Sequence, residues 1–363
     1  MVNAATLWKW GCFSTKFSQT KPHVEDEKPS DLPLNLEAGR NTDDDTKIAK
    51  FHKDFNLIVE PLSSTDLISS NSDGSKIRIA YKGGPGANSE AAAVKAYPNC
   101  ETVPWEDFES VFKAVELWLV DKAVVPIENS VSGSVHRNYD LFLGHRLHIV
   151  GEVQLIVNHC LLGLPGVRKE ELKCVLSHPL VIDQCKIMLN RLDVVKVTTE
   201  DTAGAAKIVA SNGIRYIGAI ASLRQAEIYG LNILSKKIQN DSDNITRFLI
   251  VAREPIILGT NKPHKTSIVF TLEEGPGVLF RALSVFSLSD INLSKVTYRE
   301  PANRPLKIVD DSIKGRTKYF NYFVYIDIEV SMAEPRAQNA LRHLQEFCCF
   351  LRVLGCYPVD AFQ

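Results

Sequence analysis

The 363-residue sequence predicts an α/β unit, in one or two lobes, followed by a smaller domain with β-α-β-β-α-β order. From about residue 76 to residue 253, short apolar runs alternate with segments of helical spacing, a rhythm typical of a largely parallel sheet. A boundary follows at 253–265, where proline, glycine and polar residues cluster, and the order of elements then changes. A chain of this length also fits two or three domains.

The first unit begins with a strand in which Ile77, Ile79 and Tyr81 alternate, and the Gly-rich turn 83–86 ends that strand. A helix follows from Ser89. Later elements repeat this scheme: a helix with apolar residues at Phe108, Val111, Phe112, Val115 and Trp118, a short strand at 123–127, strand–turn–helix segments at 174–192, 194–213 and 216–231, and a strand at 249–252. Gly213 is expected to end its helix.

The second domain contains four predicted strands and two predicted helices. The strands are at 266–272, 291–300, 319–330 and 351–360, and the helices are at 277–289 and 336–347. Their order is that of the split, ferredoxin-like arrangement, whose small antiparallel sheet more often binds a ligand or a partner chain than performs chemistry. Cys348 and Cys349 are expected to continue the second helical pattern, one toward the core and one toward the surface.

Composition excludes several classes of protein. The formal net charge of −1 and the lack of a basic run argue against a nucleic-acid-binding surface. No apolar stretch approaches the ~20 residues that a membrane-spanning helix needs. The eight cysteines are irregularly spaced, with no C-x-x-C pair and no matching histidine pattern, so we interpret them as reduced thiols rather than metal ligands or disulfides.

Residues 1–75 differ in composition from the rest of the chain. Residues 1–24 contain no Asp or Glu but several Lys, Ser and Thr, which resembles an organelle transit segment, although such segments usually contain Arg and this one has none. An ordinary flexible N-terminus is the alternative. From 25 to 75 the chain is first acidic and then polar, so we expect little fixed structure over 1–75.

Glycine, serine, threonine or asparagine residues occupy several turns that precede predicted helices. These turns are 83–90, 128–135, 177–179, 200–206 and 220–222. A parallel sheet gathers such turns at the carboxyl ends of its strands, and helix N-termini there hold carboxylates and phosphates. Any one turn is more simply explained by N-capping, but five around one sheet edge predict a cleft for a small anion. The glycines match no nucleotide-binding pattern.

The stretch NITRF at 244–248 places a hydroxyl and a guanidinium directly before an apolar run. A strand-forming threonine and an arginine that reaches solvent would explain it without function. As functional groups, Arg247 can bind a carboxylate through two hydrogen bonds, and Thr246 can donate a hydrogen bond to a departing oxygen. No Ser-His-Asp order, zinc spacing or paired-carboxylate motif is visible in the sequence. This inventory favours a reaction that needs orientation and assistance to a leaving hydroxyl.

Over residues 77–360 the sequence resembles the prephenate dehydratase family, including its plant arogenate dehydratases. The residues that carry the resemblance are AYKGGPGANSEAAA, PIENSVSGSVHRNYDLFL, HIVGEVQL, DTAGAA, AEIYGLNIL, NDSDNITRF and MAEPRAQNALRHLQEF. The resemblance implies a two-lobed catalytic domain at 76–254, like the periplasmic binding proteins, and a regulatory ACT domain at 265–360. It also implies a carbon–oxygen lyase without cofactor or metal, which converts arogenate to phenylalanine or prephenate to phenylpyruvate in the chloroplast stroma.

The resemblance also implies roles for particular residues. The implied catalytic signature is Thr246, Arg247 and Phe248, with Thr246 assisting departure of the ring hydroxyl and Arg247 holding either a substrate carboxylate or the shape of the site. The implied substrate-binding residues are Asn129, Ser130, Gly133, Ser134, Ser89, Ser177, Thr202, Ala203 and Gly204. The implied effector site contains Gly277, Val278, Leu279 and Arg299, and the expected partners are a phenylalanine effector and further copies of the chain in a dimer or tetramer.

Three positions depart from the family pattern. Asn88 replaces a tyrosine, Ser132 replaces a glycine, and Leu180 replaces a glutamine whose amide could reach the cleft. Loss of one such hydrogen bond costs ~1–3 kcal/mol, which slows an enzyme by roughly 10–100-fold. Leu180 and Asn88, together with Tyr298 of the second domain, keep a second hypothesis open, in which the chain is a catalytically weakened paralogue that binds a ligand or a sister subunit. A transport-type binding protein is the third reading, disfavoured by the ACT-like region.

The effector region departs from the family as well, because Tyr298 stands where relatives carry a small serine. We expect this bulky side chain to fill space in the effector pocket and to weaken or abolish inhibition by phenylalanine. Turnover measured against increasing phenylalanine tests the expectation, and inhibition at low micromolar concentration would contradict it.

Overall fold

The computed structural model describes residues 76–256, 263–272, 275–299 and 323–360. The predictions for residues 1–75, including the transit segment, lie outside the described residues. The described elements, from residue 78 onward, belong to one compact unit. They form three sheets.

The first sheet is built from both ends of the first domain. Its strands are β1 (Arg78–Lys82), β2 (Glu101–Trp105), β3 (Lys122–Asn129), the short β4 (Gly133–Ser134), β5 (His148–Ile156) and β11 (Ile245–Ala252). The order is β2-β1-β3-β11-β5, with β4 beside β3. Strand β11 therefore returns from the far end of the domain and lies between β3 and β5, antiparallel to both.

Three helices belong to this first lobe: α1 (Asn88–Ala96), α2 (Phe108–Glu116) and α3 (His136–Gly144). Helix α2 begins where the Asp107 carboxylate accepts the backbone N–H of Ser110, and its apolar face is buried. It ends before Trp118, whose φ of 60° is left-handed, so the predicted helical role of Trp118 was wrong.

The second sheet forms a separate lobe. Its strands are β6 (Cys160–Gly163), β7 (Cys174–Ser177), β8 (Val195–Thr198), β9 (Ile217–Ala221) and β10 (Asn232–Ser235), in the order β10-β6-β9-β7-β8. Its helices are α4 (Pro179–Gln184), α5 (Lys186–Leu192), α6 (Thr202–Asn212) and α7 (Leu223–Tyr229), after a short 3₁₀ turn at Lys169–Glu171. The chain crosses between the lobes twice, after β5 and before β11, which confirms the two-lobed prediction.

Antiparallel pairs make both sheets more mixed than predicted. Strands β6 and β10 pair antiparallel with their neighbours in the second sheet, as β11 does in the first. Strand β2 contains Pro104, a residue that argues against a central strand, and lies at the sheet edge beside β1. The segment 174–192 also divides into two helices at Cys185. Helix α6 ends at Gly213, with a φ of 64°, as predicted.

The C-terminal domain has the predicted order of elements. These are β12 (His264–Leu272), α8 (Val278–Leu288), β13 (Leu293–Arg299), β14 (Phe323–Ile328), α9 (Pro335–Gln345) and β15 (Cys348–Pro358). The strand order β13-β14-β12-β15, with antiparallel pairs throughout, is ferredoxin-like. Cys348 and Cys349 begin β15 rather than extending the helix, because Cys348 pairs with Leu272 of β12.

The C-terminal sheet packs face to face on the first sheet. Side chains from both domains share one apolar core, in which Phe142 and Leu249 of the first domain lie with Tyr325 and Tyr357 of the second. The remaining face of the C-terminal sheet packs beneath α8 and α9 in a core of its own. The two domains are therefore joined by buried surface as well as by the chain.

The described cysteines have free thiols, in keeping with the predicted reduced state. These residues are Cys100, Cys160, Cys174, Cys185, Cys348, Cys349 and Cys356. Within the described ranges, no helix is long and apolar enough to cross a membrane.

Strand β15 of the C-terminal sheet approaches β5 of the first sheet closely at Gly355, so we expect a side chain at this position to destabilise the fold. A Cβ added at Gly355 of β15 would lie 2.0 Å from the Ile149 carbonyl oxygen of β5, so backbone must move in Gly355→Ala. We expect this change to lower the free energy of unfolding by about 2 kcal/mol or more.

Gly144→Ala is the matched control. Its Cβ would meet nothing within 4 Å at the end of α3, so we expect a change between zero and a gain of about 1 kcal/mol. Urea unfolding of the full chain measures both variants. Equal unfolding free energies for the two would contradict the proposed close packing of the sheets.

Candidate active site

Thr246 and Asn129 lie directly opposite each other on the paired strands β11 and β3. The Asn129 side-chain oxygen accepts the backbone N–H groups of Val131 and Ser132, at 3.0 and 2.8 Å. This fixes the orientation of the amide, whose nitrogen donates to the Thr246 hydroxyl oxygen at 2.9 Å. Because the hydroxyl oxygen accepts this bond, the hydrogen of Thr246 remains available for a ligand.

Further polar side chains extend this pair into a network. Asn244 accepts from Asn129 at 2.6 Å and donates to the Gln184 side-chain oxygen at 2.9 Å. The Gln184 nitrogen donates to the Ser132 hydroxyl at 2.7 Å and approaches the Asn129 oxygen at 3.3 Å. Buried His159 lies 2.7 Å from the Gln184 oxygen through Nε2, which identifies Nε2 as the protonated nitrogen. The network joins the two lobes at their junction.

Sequence reasoning did not assign Gln184, Asn244 or His159 to the site. The sequence offered two signals. Asn244 is the first residue of the NITRF stretch, and Gln184 lies four residues after Leu180, one helical turn away, where side chains can share a face. Leu180 is 53% exposed at the start of α4, whereas Gln184 is 9% exposed. The amide that completes the network comes from Gln184, so the network forms without a glutamine at 180.

Arg247 is turned away from Thr246, because successive strand residues point to opposite faces. Its Nε, Nη1 and Nη2 atoms donate to Glu128, Glu152 and Asp327 at 2.5, 3.0 and 2.8 Å. Burial by itself lowers the pKa of Arg247, but the surrounding carboxylates, Asp327 foremost, outweigh it and raise the pKa. With all three nitrogens engaged, Arg247 does not offer the expected fork to a substrate carboxylate. The contacts fit the other expected role, in which Arg247 holds the shape of the site.

Phe248, the third signature residue, is 1% exposed and packs in the apolar core with Ile79, Val124 and Val153. The hydroxyls of two expected substrate-binding serines, Ser177 and Ser130, form hydrogen bonds with backbone groups. The Ser177 hydroxyl is fully buried and donates to the Ile220 carbonyl at 2.8 Å.

The Ser130 hydroxyl donates to the Asp243 carbonyl at 2.7 Å and accepts the Ile245 N–H at 2.9 Å. It thereby holds the 129–134 turn against the start of β11. Gly133, with a φ of 80°, and Ser134 form β4 and pair with Asn129 and Glu128. These turn residues fix the position of Asn129.

The Gly-rich turn of the first lobe packs against the helix N-termini of the second. A Cβ at Gly84 would lie 3.6 Å from Ala203, and one at Gly86 would lie 2.8 Å from Gln225. The Gly86 φ of 84° also favours glycine. The Tyr229 hydroxyl donates to the Pro85 carbonyl at 3.3 Å. The 83–86 turn therefore lies against the 202–204 and 222–225 turns of the second lobe.

N-capping accounts for three of the predicted turns, including 177–179, where His178 Nδ1 accepts the Leu180 N–H at 3.3 Å. The Asp201 carboxylate accepts the Gly204 N–H at 2.6 Å at the start of α6, and Ser222 forms a capping box with Gln225 in α7. The Thr202 hydroxyl accepts from Gln225 at 3.1 Å. The N-terminus of α1, which contains buried Ser89, has no side-chain cap. Within the 83–90 turn, the Glu90 carboxylate accepts the Gly86 N–H at 2.7 Å and the Gly84 carbonyl accepts the Ala87 N–H at 3.1 Å.

The expected effector residues lie in the C-terminal domain. Gly277, with a φ of 73°, precedes α8, which begins with buried Val278 and half-exposed Leu279. Tyr298 is 50% exposed and pairs with Val324, near the sheet end from which β12 leads toward α8. Arg299 instead forms a two-pronged ion pair with Asp140 of α3, so its guanidinium links the domains.

Among the described residues, no group of three or more His, Cys, Asp or Glu side chains is placed to hold a metal ion.

The chain has a two-lobed α/β domain with the Thr246 hydroxyl at the lobe junction, and a ferredoxin-like domain packs on its first sheet. The family described as prephenate dehydratase matches residues 79–256. The chain is 57% identical over 356 residues to arogenate dehydratase/prephenate dehydratase 1, chloroplastic, of Arabidopsis thaliana, covering 97% of this chain and 90% of that protein. The chain belongs to the prephenate dehydratase family.

Solved structures extend the similarity to both domains. The prephenate dehydratase of Arthrobacter aurescens in complex with L-Phe is 26% identical, with a TM-score of 0.69 over 78% of this chain and 90% of that one. A structure described as GqqA, a novel type of quorum quenching acylase, is 30% identical, with a TM-score of 0.68 over 78% and 99%. The fold predicted from the sequence is confirmed.

Buried His159 makes stability depend on pH. Burial lowers the pKa of His159, and its bond to Gln184 offsets this only in part. The unfolded chain therefore binds more protons between the lowered pKa and the ordinary value of about 6.5, so stability is lost as pH falls through that window.

We expect His159→Gln to reduce this loss, because glutamine does not titrate. Urea unfolding between pH 8 and pH 5 measures the slope for both proteins. Burial also lowers the pKa of His148 and of His178, so part of the slope remains in the variant. Identical slopes in the two proteins would contradict a neutral His159.

Proposed function

We propose that this chain is an arogenate dehydratase, which converts arogenate to phenylalanine with loss of carbon dioxide and water and also accepts prephenate. The hydrogen bond from the Asn129 amide to the Thr246 oxygen carries the proposal, because it leaves the Thr246 hydrogen free to be donated at the lobe junction. Family membership and the names of the plant relatives support the same reaction.

The reaction needs one proton donor and an oriented substrate. The electrons of the bond to the departing carboxylate enter the ring, and the ring hydroxyl leaves with the electrons of its C–O bond. Thr246 donates the hydrogen bond and proton that turn the leaving group into water, and a proton from solvent restores it. Formation of the aromatic ring supplies the driving force, so donor placement and charge stabilisation suffice for catalysis.

The other site residues hold this donor in place. Asn129 orients the hydroxyl, and Gln184, Asn244 and Ser132 hold Asn129 through the amide network. The N-terminus of α1 has no side-chain cap, and the backbone N–H groups of Asn88 and Ser89 would receive a substrate carboxylate there. Arg247 acts from the opposite face of the strand. The enzyme would be classed as a carbon–oxygen lyase.

The alternative of a weakened paralogue has less support. It was motivated by Leu180, Asn88 and Tyr298, and the amide network forms through Gln184 although position 180 is leucine. Ser132, another departure, adds a hydrogen bond to that network rather than removing one.

Regulation, assembly and location complete the proposal. A relative's structure described with L-Phe supports phenylalanine as effector at an ACT domain of residues 265–360, near Gly277 and Val278. Catalysis would reside in 76–254. Plant relatives with chloroplastic names support a chloroplast protein, which we place in the stroma. We further propose that the chain forms a homo-oligomer.

Replacing the Thr246 hydroxyl tests the reaction. Thr246→Val keeps the shape but removes the donor, so we expect kcat to fall ~10²–10³-fold. Thr246→Ser keeps the donor and is expected to retain kcat within about tenfold. Initial rates of the full chain on arogenate and on prephenate measure both variants and rank the substrates.

Two outcomes would contradict the proposal. Equal rates for the parent protein and Thr246→Val would exclude Thr246 as the donor. A folded parent protein that binds arogenate without turnover would favour the ligand-binding paralogue instead.

A further inference from the structure

A charge-balanced set of ionised side chains lies between the two domains, on the far side of the first sheet from Thr246. We name it the interdomain ion cluster, and it contains Glu128, Glu152 and Arg247 of the first domain and Lys265, Lys295 and Asp327 of the C-terminal domain. The first three carry a net charge of −1 and the last three a net charge of +1. The domains therefore meet through complementary charge as well as through apolar packing.

Arg247 is the centre of this cluster. It contacts carboxylates on three different strands, two in its own domain and Asp327 in the other. Lys265 lies 2.9 Å from Glu152, and Lys295 pairs with Glu128. The Glu152 side chain is fully buried and those of Arg247 and Lys295 are 8% and 12% exposed, so water screens these charges weakly, whereas the Glu128 side chain is 34% exposed and more strongly screened.

The cluster contains residues of β3 and β11, the two strands that also carry Asn129 and the proposed donor Thr246. Thr246 is opposite Asn129, and Arg247 is opposite Glu128, one residue further along the paired strands. Successive residues alternate between the two faces of a sheet. A displacement of Arg247 or Glu128 therefore moves the backbone of Thr246 and Asn129 directly.

We propose that Lys295 and Asp327 of the C-terminal domain are positioning residues for the dehydration. They hold the paired Glu128 and Arg247 in place, and the neighbouring Asn129 and Thr246 then present the donated hydrogen at the departing hydroxyl. This inference rests on the proposed function. A misplacement of about 1 Å in reacting groups can cost ~10²-fold in rate, so the C-terminal domain contributes to turnover even without an effector.

Single and double variants of an ion pair can distinguish a positioning role of Lys295 from a general effect on folding. Removing one partner leaves an uncompensated buried charge, whereas replacing both by neutral side chains is often tolerated. Lys295→Met leaves Glu128 with one cation fewer, and Glu128→Gln combined with Lys295→Met restores the charge balance. Lys295→Arg keeps the charge and is the conservative variant.

The experiment measures kcat and KM of the full chain on arogenate, with the folded fraction of each variant determined by circular dichroism. We expect Lys295→Met to lower kcat ~10–100-fold with KM within about threefold, because the ligand contacts remain and the donor is displaced. The double variant and Lys295→Arg are expected to recover kcat to within about fivefold of the parent protein. Asp327→Asn is expected to behave like Lys295→Met.

Arg336→Gln is the matched control. It removes an ion pair with Glu334 and a hydrogen bond to the Asp290 carbonyl in the same domain, neither of which involves a member of the cluster, and is expected to leave kcat and KM unchanged.

The outcomes separate the two proposals. An unchanged kcat in Lys295→Met, or a loss that only follows the folded fraction, would overturn the positioning role. A double variant no better than Lys295→Met would overturn it as well. Absence of turnover in the folded parent protein on both substrates would instead overturn the proposed function, and it would be seen before any variant is compared.

Discussion

The antiparallel pairing of β11 with β3 is the constraint on which the rest of the structure depends. Strand β11, at the end of the first domain, joins the sheet in which that domain began. The segment between β5 and β11 forms the second lobe. The same pairing places Thr246 beside Asn129 and Arg247 beside Glu128. One backbone register thus fixes a hydroxyl donor on one face and a charged attachment to the C-terminal domain on the other.

The polar network at the lobe junction fixes which groups donate and which accept hydrogen bonds. Two backbone N–H groups orient the Asn129 amide, and this orientation directs its nitrogen toward the Thr246 hydroxyl oxygen. A lone threonine hydroxyl could donate or accept equally well. Here its oxygen already accepts the Asn129 amide, so its hydrogen is left to be donated to another partner.

Neighbouring residues of one sequence motif have three separate physical tasks. Thr246 offers the donor, Arg247 joins the domains through buried ion pairs, and Phe248 fills the apolar core. The sequence left two roles open for Arg247, holding a substrate carboxylate or holding the shape of the site, and its contacts fit the second. An arginine next to a donor cannot share its surface when both lie on a strand, because alternate residues face opposite sides.

Local pattern determined a large part of this protein from the sequence alone. Helical spacing, capping residues and Gly-rich turns predicted most elements, the ferredoxin-like order of the C-terminal domain and a cleft between turns, since these depend on neighbours within a few residues. Tertiary structure alone decided the pairing of β11 with β3, the partners of Arg247 and Arg299, and the entry of Gln184, Asn244 and His159 into the site. These contacts join residues 25 to 159 positions apart, and no local periodicity records which distant strand or carboxylate will be adjacent.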